Sequence, residues 1–218
     1  MKIADLGVRN IIWDVDGTLA NINHAYYCFI KNHPRVREFF KNFLYKDLAK
    51  ALPIEEKYGA IELKTHPTLG DELDRLFCNS DEYYFDRPLY YGTDKVLNRL
   101  NKFGYRQFIL SAGFNLEKKT SLLKQLFLDF PFIELEVVLH DKKGMHEGNT
   151  KEQKILDLLK KYNLKSNETV LIDDRIYNIR AALKAGIKAI RFRSEFTTPL
   201  PNDLIETVLE IEDIREIV

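Results

Sequence analysis

Ile11-Ile12-Trp13 is a short apolar run that stops at Asp14 and passes into Asp16-Gly17-Thr18, which favours a turn; a buried strand opening into a loop is predicted there. The same arrangement recurs. Phe108-Ile109-Leu110 precedes Ser111-Ala112-Gly113, Val137-Val138-Leu139 precedes His140-Asp141, and Val170-Leu171-Ile172 precedes Asp173-Asp174. Between these runs the apolar positions take helical spacing. Thr93 is placed to cap a helix carrying Val96, Leu97, Leu100 and Phe103, with Gly104 ending it. Thr150-Lys151-Glu152-Gln153 has the form of a capping box ahead of Ile155, Leu156, Leu159 and Tyr162. Ile176, Ile179, Ala182 and Leu183 make a further stripe closed by Gly186. Strands alternating with helices predict an α/β fold with a doubly wound parallel sheet, built from residues 1–20 and 90–218. In such sheets the polar residues just past the strands' carboxyl ends share one crevice, so Asp14, Ser111 and Asp173-Asp174 are expected to meet.

Residues 21–89 break the alternation. Val36, Phe39, Phe40, Phe43, Leu44 and Leu48 follow helical spacing, as do Leu69, Leu73, Leu76 and Phe77, with no strand pattern between them. The segment reads as a small, mostly helical insert. It holds twelve of the chain's 14 Phe and 11 Tyr residues, enough for a core of its own. Pro88-Leu89-Tyr90-Tyr91-Gly92 and the loop after Leu19 are its expected hinges, which would set it over the crevice as a cap.

Composition narrows the function classes. Hydrophobic residues make up 45% of the 218, ample for a packed interior. Lys+Arg and Asp+Glu both number 33, so no global field favours nucleic acid or an anionic membrane. No stretch reaches the roughly 20 apolar residues of a membrane span, and Met1–Asn10 lacks the apolar middle of a secretion signal. Cys28 and Cys78 have neither metal-ligand spacing nor the numbers of a disulfide scaffold. A soluble, cytoplasmic protein is the expectation; oligomeric state is left open.

Two carboxylates one residue apart, Asp14 and Asp16, can take different roles at a strand end only if the backbone turns sharply, and Gly17 permits that turn. Asp173-Asp174 is a second acidic pair at a strand end, of the hard-oxygen type that suits Mg²⁺. Each feature also has a plain structural reading. Asp16-Gly17 is a common turn, Ser111-Ala112-Gly113 an ordinary strand end, Lys151 a surface lysine, and Asp173-Asp174 a pair favouring a helix dipole. Their joint order is the stronger signal.

Asp14-Val15-Asp16-Gly17-Thr18-Leu19, then Ser111, Lys151 and Asp173-Asp174, resembles the four motifs of the haloacid dehalogenase superfamily over residues 8–20 and 89–193. The spacing of 23 residues between Lys151 and Asp174 is similar to that of the family's phosphoserine phosphatases; Lys154 is the alternative one turn on. The resemblance implies a Rossmann-like core and Mg²⁺-dependent hydrolysis of a small phosphorylated metabolite. Asp14 would be the nucleophile that forms an aspartyl phosphate, and Asp16 the acid and base, the two like charges splitting their apparent pKa values. Ser111, Ala112, Lys151, Gly17 and Thr18 would bind the phosphoryl oxygens, and Asp14, Asp16, Asp173 and Asp174 would face the metal. Many relatives carry an Asp where this chain has Asn178, which implies weaker or indirect help there. A phosphomutase shares the motifs, a dehalogenase generally lacks the acid at the position of Asp16, and a silent binding module has no need of the full set.

The remaining candidates have ordinary readings. His24 is expected to be a surface residue near a helix start, and His140, Asp141, His146 and Glu147 a solvated loop rather than a second metal site. Arg35, Arg37, Lys41 and Lys46 read as the solvated face of a helix. Leu204, Val208, Ile211 and Ile214 suggest a closing helix.

Overall fold

The computed structural model describes residues 2–34, 37–42, 44, 46, 76–85, 87–139, 149–194, 197 and 199–218. The described residues form a parallel sheet of six strands: β1 (Asn10–Trp13), β2 (Arg106–Gly113), β3 (Ile133–Leu139), β4 (Thr169–Asp173), β5 (Lys188–Phe192) and β6 (Leu209–Ile211), in the order β3-β2-β1-β4-β5-β6. Every residue of β1 is buried, as a central parallel strand covered on both faces requires. Side chains alternate across it. Ile11 and Trp13 join one apolar layer with Val96, Leu97, Leu100, Leu123 and Phe127; Ile12 joins the other with Ile155, Leu158, Ile179 and Ala182. Trp13 Nε1 donates to Gln107 Oε1 at 3.2 Å, and Gln107 Nε2 donates to the Leu97 carbonyl at 2.9 Å, so the polar atoms inside the first layer are paired.

The chain runs from β1 outward to β3, then returns to lay β4 on the other side of β1. That reversal opens the crevice of a doubly wound sheet. Trp13 pairs with Ile172, and Asp14 N donates to the Ile172 carbonyl at 2.9 Å, which brings Asp14 level with Asp173.

Several expectations change in detail. β2 continues through Gly113, so Ser111 lies inside the strand, opposite Val137 of β3. The helix after Gly92 spans Thr93–Lys102 with Gly92 as its cap residue, and the Thr93 hydroxyl instead donates to the Leu19 carbonyl at 3.5 Å. Helix Asn149–Lys161 begins one residue before Thr150, whose side chain lies outside the described residues. The C-terminal apolar residues form β6 and the 3₁₀ helix Ile214–Ile217, not one helix: spacings of three and four also arise when a turn, an edge strand and a short helix each bury a residue or two. Helix Leu116–Leu126 is an element the pattern did not reveal, because a lysine, Lys119, occupies its buried stripe beside Leu122 and Leu123.

Within residues 21–89 the described parts are helical: Ile22–Asn32, Arg37–Phe40, residues 76–78 and Glu82–Phe85. Val36, Phe43, Tyr45, Leu48, Tyr58, Leu69 and Leu73 lie outside the described residues, as do Arg35 and the His140–Glu147 loop. Tyr26, Phe29, Phe77, Tyr83 and Tyr84 are buried against one another, with Tyr26–Phe77 and Phe77–Tyr83 centroids 4.9 and 5.3 Å apart in edge-on contacts. The two connections to the sheet run side by side: Ala20 bridges Leu89, and Asn21 N donates to the Pro88 carbonyl at 2.8 Å. Among the described residues no helix is long and apolar enough to cross a membrane.

Candidate active site

The loop after β1 folds back on itself. Leu19 N and Ala20 N both donate to the Val15 carbonyl, at 3.0 and 2.8 Å, and Gly17 N donates to the Ala20 carbonyl at 2.8 Å. Gly17 has φ +88°, and a Cβ there would stand 2.5 Å from Asp174 Oδ2. Only glycine lets the loop pass this close to the acid.

Asp14, Asp173 and Asp174 are all buried, and each offers a carboxylate oxygen within 4.8 Å of the others'. Lys151, on the first turn of its helix and 7% exposed, bridges two of them: its Nζ lies 2.7 Å from Asp14 Oδ1 and 2.5 Å from Asp173 Oδ2. Burial alone would lower the Lys151 ammonium, but the Asp14 and Asp173 carboxylates outweigh it and hold the group above its ordinary range. Lys154, the alternative, is exposed and pairs with Asp157 at 3.8 Å. Asp173 Oδ1 accepts from Arg175 N at 2.8 Å and from Asn178 Nδ2 at 3.1 Å, so Asn178 steadies an acid rather than adding one. Burial raises Asp173 to about 6 against the pull of Lys151, and raises Asp174 to about 7 against that of Arg175, whose Nε is 3.2 Å away.

Asp174 Oδ1 is buried with no hydrogen-bond partner among the described residues. A buried acceptor left unpaired is costly, and three converging carboxylates repel. A hard divalent cation held by Asp14, Asp173 and Asp174 would answer both, so the residues fit such an ion. Ser111 and Thr18 are fully buried, and their hydroxyls likewise have no hydrogen-bond partner among the described residues. Ala112 is half-buried beside Ser111.

Asp16 does not join the acidic cluster. Its Oδ2 accepts from Lys119 Nζ at 2.6 Å and its Oδ1 from Arg87 Nη1, both cations being buried. Asp14 and Asp16, two positions apart in sequence, therefore each face their own cations. The Lys119 stem passes so near Gly113 that a Cβ there would meet it at 3.0 Å. Lys119 and Arg87 were not among the expected site residues. Lys119 had one signal, a lysine in an otherwise apolar helical stripe; Arg87 had none. His24 is exposed, as expected, and Arg37, Lys41 and Lys46 are exposed too.

The model of the haloacid dehalogenase-like hydrolases matches residues 11–192, a span that takes in every site residue above. The chain belongs to this family. A curated relative, glyceraldehyde 3-phosphate phosphatase of Pyrococcus furiosus, is 34% identical over 103 residues, which is 47% of this chain and 41% of that protein; the match thus spans under half of the relative's length. A haloacid dehalogenase-like hydrolase from Streptococcus pneumoniae has the same fold at 16% identity, with a TM-score of 0.64 over 97% of both chains. CbbY from Rhodobacter sphaeroides, solved in complex with phosphate, superposes at TM-score 0.60 and 14% identity over 96% of both.

Proposed function

We propose that this haloacid dehalogenase-like hydrolase is a Mg²⁺-dependent phosphatase that hydrolyses a small phosphomonoester through an aspartyl phosphate on Asp14. The observation that carries the reading is the Asp14 carboxylate, one oxygen on Lys151 and the group within reach of Asp173 and an unpaired Asp174 oxygen. A buried nucleophile so placed approaches a phosphoryl group with its own charge already balanced.

Asp14 attacks phosphorus in line with the leaving oxygen, and Lys151 neutralises charge between the two. The Ser111 and Thr18 hydroxyls, with the main-chain N–H of Ala112, would hold the equatorial oxygens, whereas Gly17 N is taken by the Ala20 carbonyl and Gly17 serves by its close turn. Asp16, with Lys119 Nζ and Arg87 Nη1 against its carboxyl group, is assigned to give a proton to the leaving oxygen and then to take one from the attacking water, which returns it to its starting state. Mg²⁺ bound by Asp14, Asp173 and Asp174 would supply positive charge to the phosphoryl oxygens. The charges support this assignment. Asp14, Asp173 and Asp174 stand against Lys151 and Arg175 and leave a negative charge that a divalent cation would offset.

A dehalogenase fits less well, because it has no use for Asp16 held by two buried cations. Residues 21–89 are proposed to act as a cap, since Arg87 reaches into the site from the second connection and also donates to the Tyr83 carbonyl. The test is a panel of phosphorylated metabolites, glyceraldehyde 3-phosphate among them, assayed for phosphate release with Mg²⁺ and with excess chelator. Release that requires Mg²⁺ and needs no sugar bisphosphate activator is expected. Turnover unchanged in chelator, or transfer to a sugar in place of release, would remove the reading.

A further inference from the structure

Lys119 and Arg87, 0% and 3% exposed, both converge on the one carboxylate of Asp16. Among the described residues Asp16 is the one carboxylate bonded to both, and Asp14 acts on them only through space, so on the Asp16 side two buried cations face one acid. The donors say the same. Arg87 Nη1 reaches Asp16 and Nη2 the Tyr83 carbonyl, but its buried Nε has no acceptor among the described residues. Lys119 has three N–H donors, and Asp16 Oδ2 takes one of them. Burial lowers Lys119 well below its ordinary range, with Arg87 adding repulsion, and lowers Arg87 to about 9. The Tyr83 ring lies 4.7 Å from the guanidinium carbon and 6.0 Å from the ammonium, a wall that favours cations without neutralising them.

Position narrows which anion these donors suit. Lys151 occupies the phosphoryl side, between Asp14 and Asp173, whereas Lys119 and Arg87 flank the acid assigned to the leaving oxygen. A group held by them belongs to the alcohol half of the ester. Resting on the phosphatase reading, the geometry points to a substrate whose alcohol carries a second anionic group, a carboxylate or another phosphate, close to the ester oxygen, received by Lys119 and Arg87. The planar guanidinium suits a carboxylate or phosphate, and the ammonium adds a point charge beside it.

The experiment compares specificity constants of the Mg²⁺-loaded full chain for three kinds of ester. 2-Phosphoglycolate and 3-phosphoglycerate carry a carboxylate, 1,3-propanediol bisphosphate a second phosphate, and ethyl phosphate and sn-glycerol 3-phosphate neither. At least one acidic class is expected to exceed the neutral esters by about tenfold or more, the worth of a charged hydrogen bond. Arg87→Met and Lys119→Met should each cut that ratio by about tenfold, and Arg87→Lys should restore part of it. A merely structural role would lower both classes together and leave the ratio unmoved, which overturns the assignment. So do wild-type constants that are equal or favour the neutral esters, and in that case the phosphatase reading stands. No turnover of any ester removes both. Should Lys119→Met fail to fold, the wild-type ratio and the Arg87 variants decide.

Discussion

Asp14 and Asp16 stand two positions apart, and the chain gives them opposite surroundings. Asp14 faces Lys151 and two further acids, while Asp16 is held between Lys119 and Arg87. Replacing Asp14 by Asn should leave the fold intact, because Lys151 keeps Asp173, yet lower turnover of a chromogenic aryl phosphate at least about a thousandfold. Circular dichroism alongside the assay separates the two effects, and near-parental turnover would refute the nucleophile. Lys151→Met leaves Asp14 and Asp173 buried without their shared cation. The metal-free variant should lose about 3–5 kcal/mol in urea unfolding, and a loss within error of zero would show that the bridge holds little. Gly17→Ala is a subtler probe. Its methyl meets Asp174 at 2.5 Å in a left-handed backbone, so Mg²⁺ affinity by calorimetry should fall more than urea stability does.

At the scale of elements, the strands carry the site and the layers on either face hold the strands. Gln107 joins β1, β2 and helix Thr93–Lys102 through one side chain, accepting from Trp13 and donating to Leu97. Gln107→Leu strands both groups in the core and should cost about 1–3 kcal/mol in urea unfolding at unchanged m-value. The alternation of apolar runs and helical stripes made β1, β4 and the helices ending at Lys102, Lys161 and Lys184 legible. β5 and helix Leu116–Leu126 were not, nor was the upper half of β2. β5 carries a charge at each of two positions, Lys188, which is exposed, and Arg191, which is buried and paired with Glu210. Lys119 hides its helix in the same way, being a cation where burial expects an aliphatic side chain.

For the whole molecule, the three-acid cluster ties stability to pH and, on the proposed function, to metal. Asp173 and Asp174 are raised to about 6 and about 7, above the ordinary value of 3.8, so between those values the folded chain binds more protons than the unfolded one. Stability contributed by the pair is therefore present in acid and lost as pH rises through the folded values. Without metal, the melting temperature should gain more from Mg²⁺ at pH 8 than at pH 5, because the ion binds the ionised acids and competes with protons for them. An equal gain at both pH values, read by scanning calorimetry with and without chelator, would count against Asp173 and Asp174 as the metal side.

What the sequence by itself determined is whatever depends on local period and strand-end chemistry: the α/β class, the parallel sheet, and the meeting of Asp14 with Asp173-Asp174 at neighbouring strand ends. Those follow because topology delivers strand ends to a common edge whatever lies between them. Only the tertiary structure decided the partners of Asp16, which come from 71 and 103 residues away. A buried ion pair leaves no period in either strand of chain that makes it, so Arg87 and Lys119 became site residues only when folding brought them against that carboxylate.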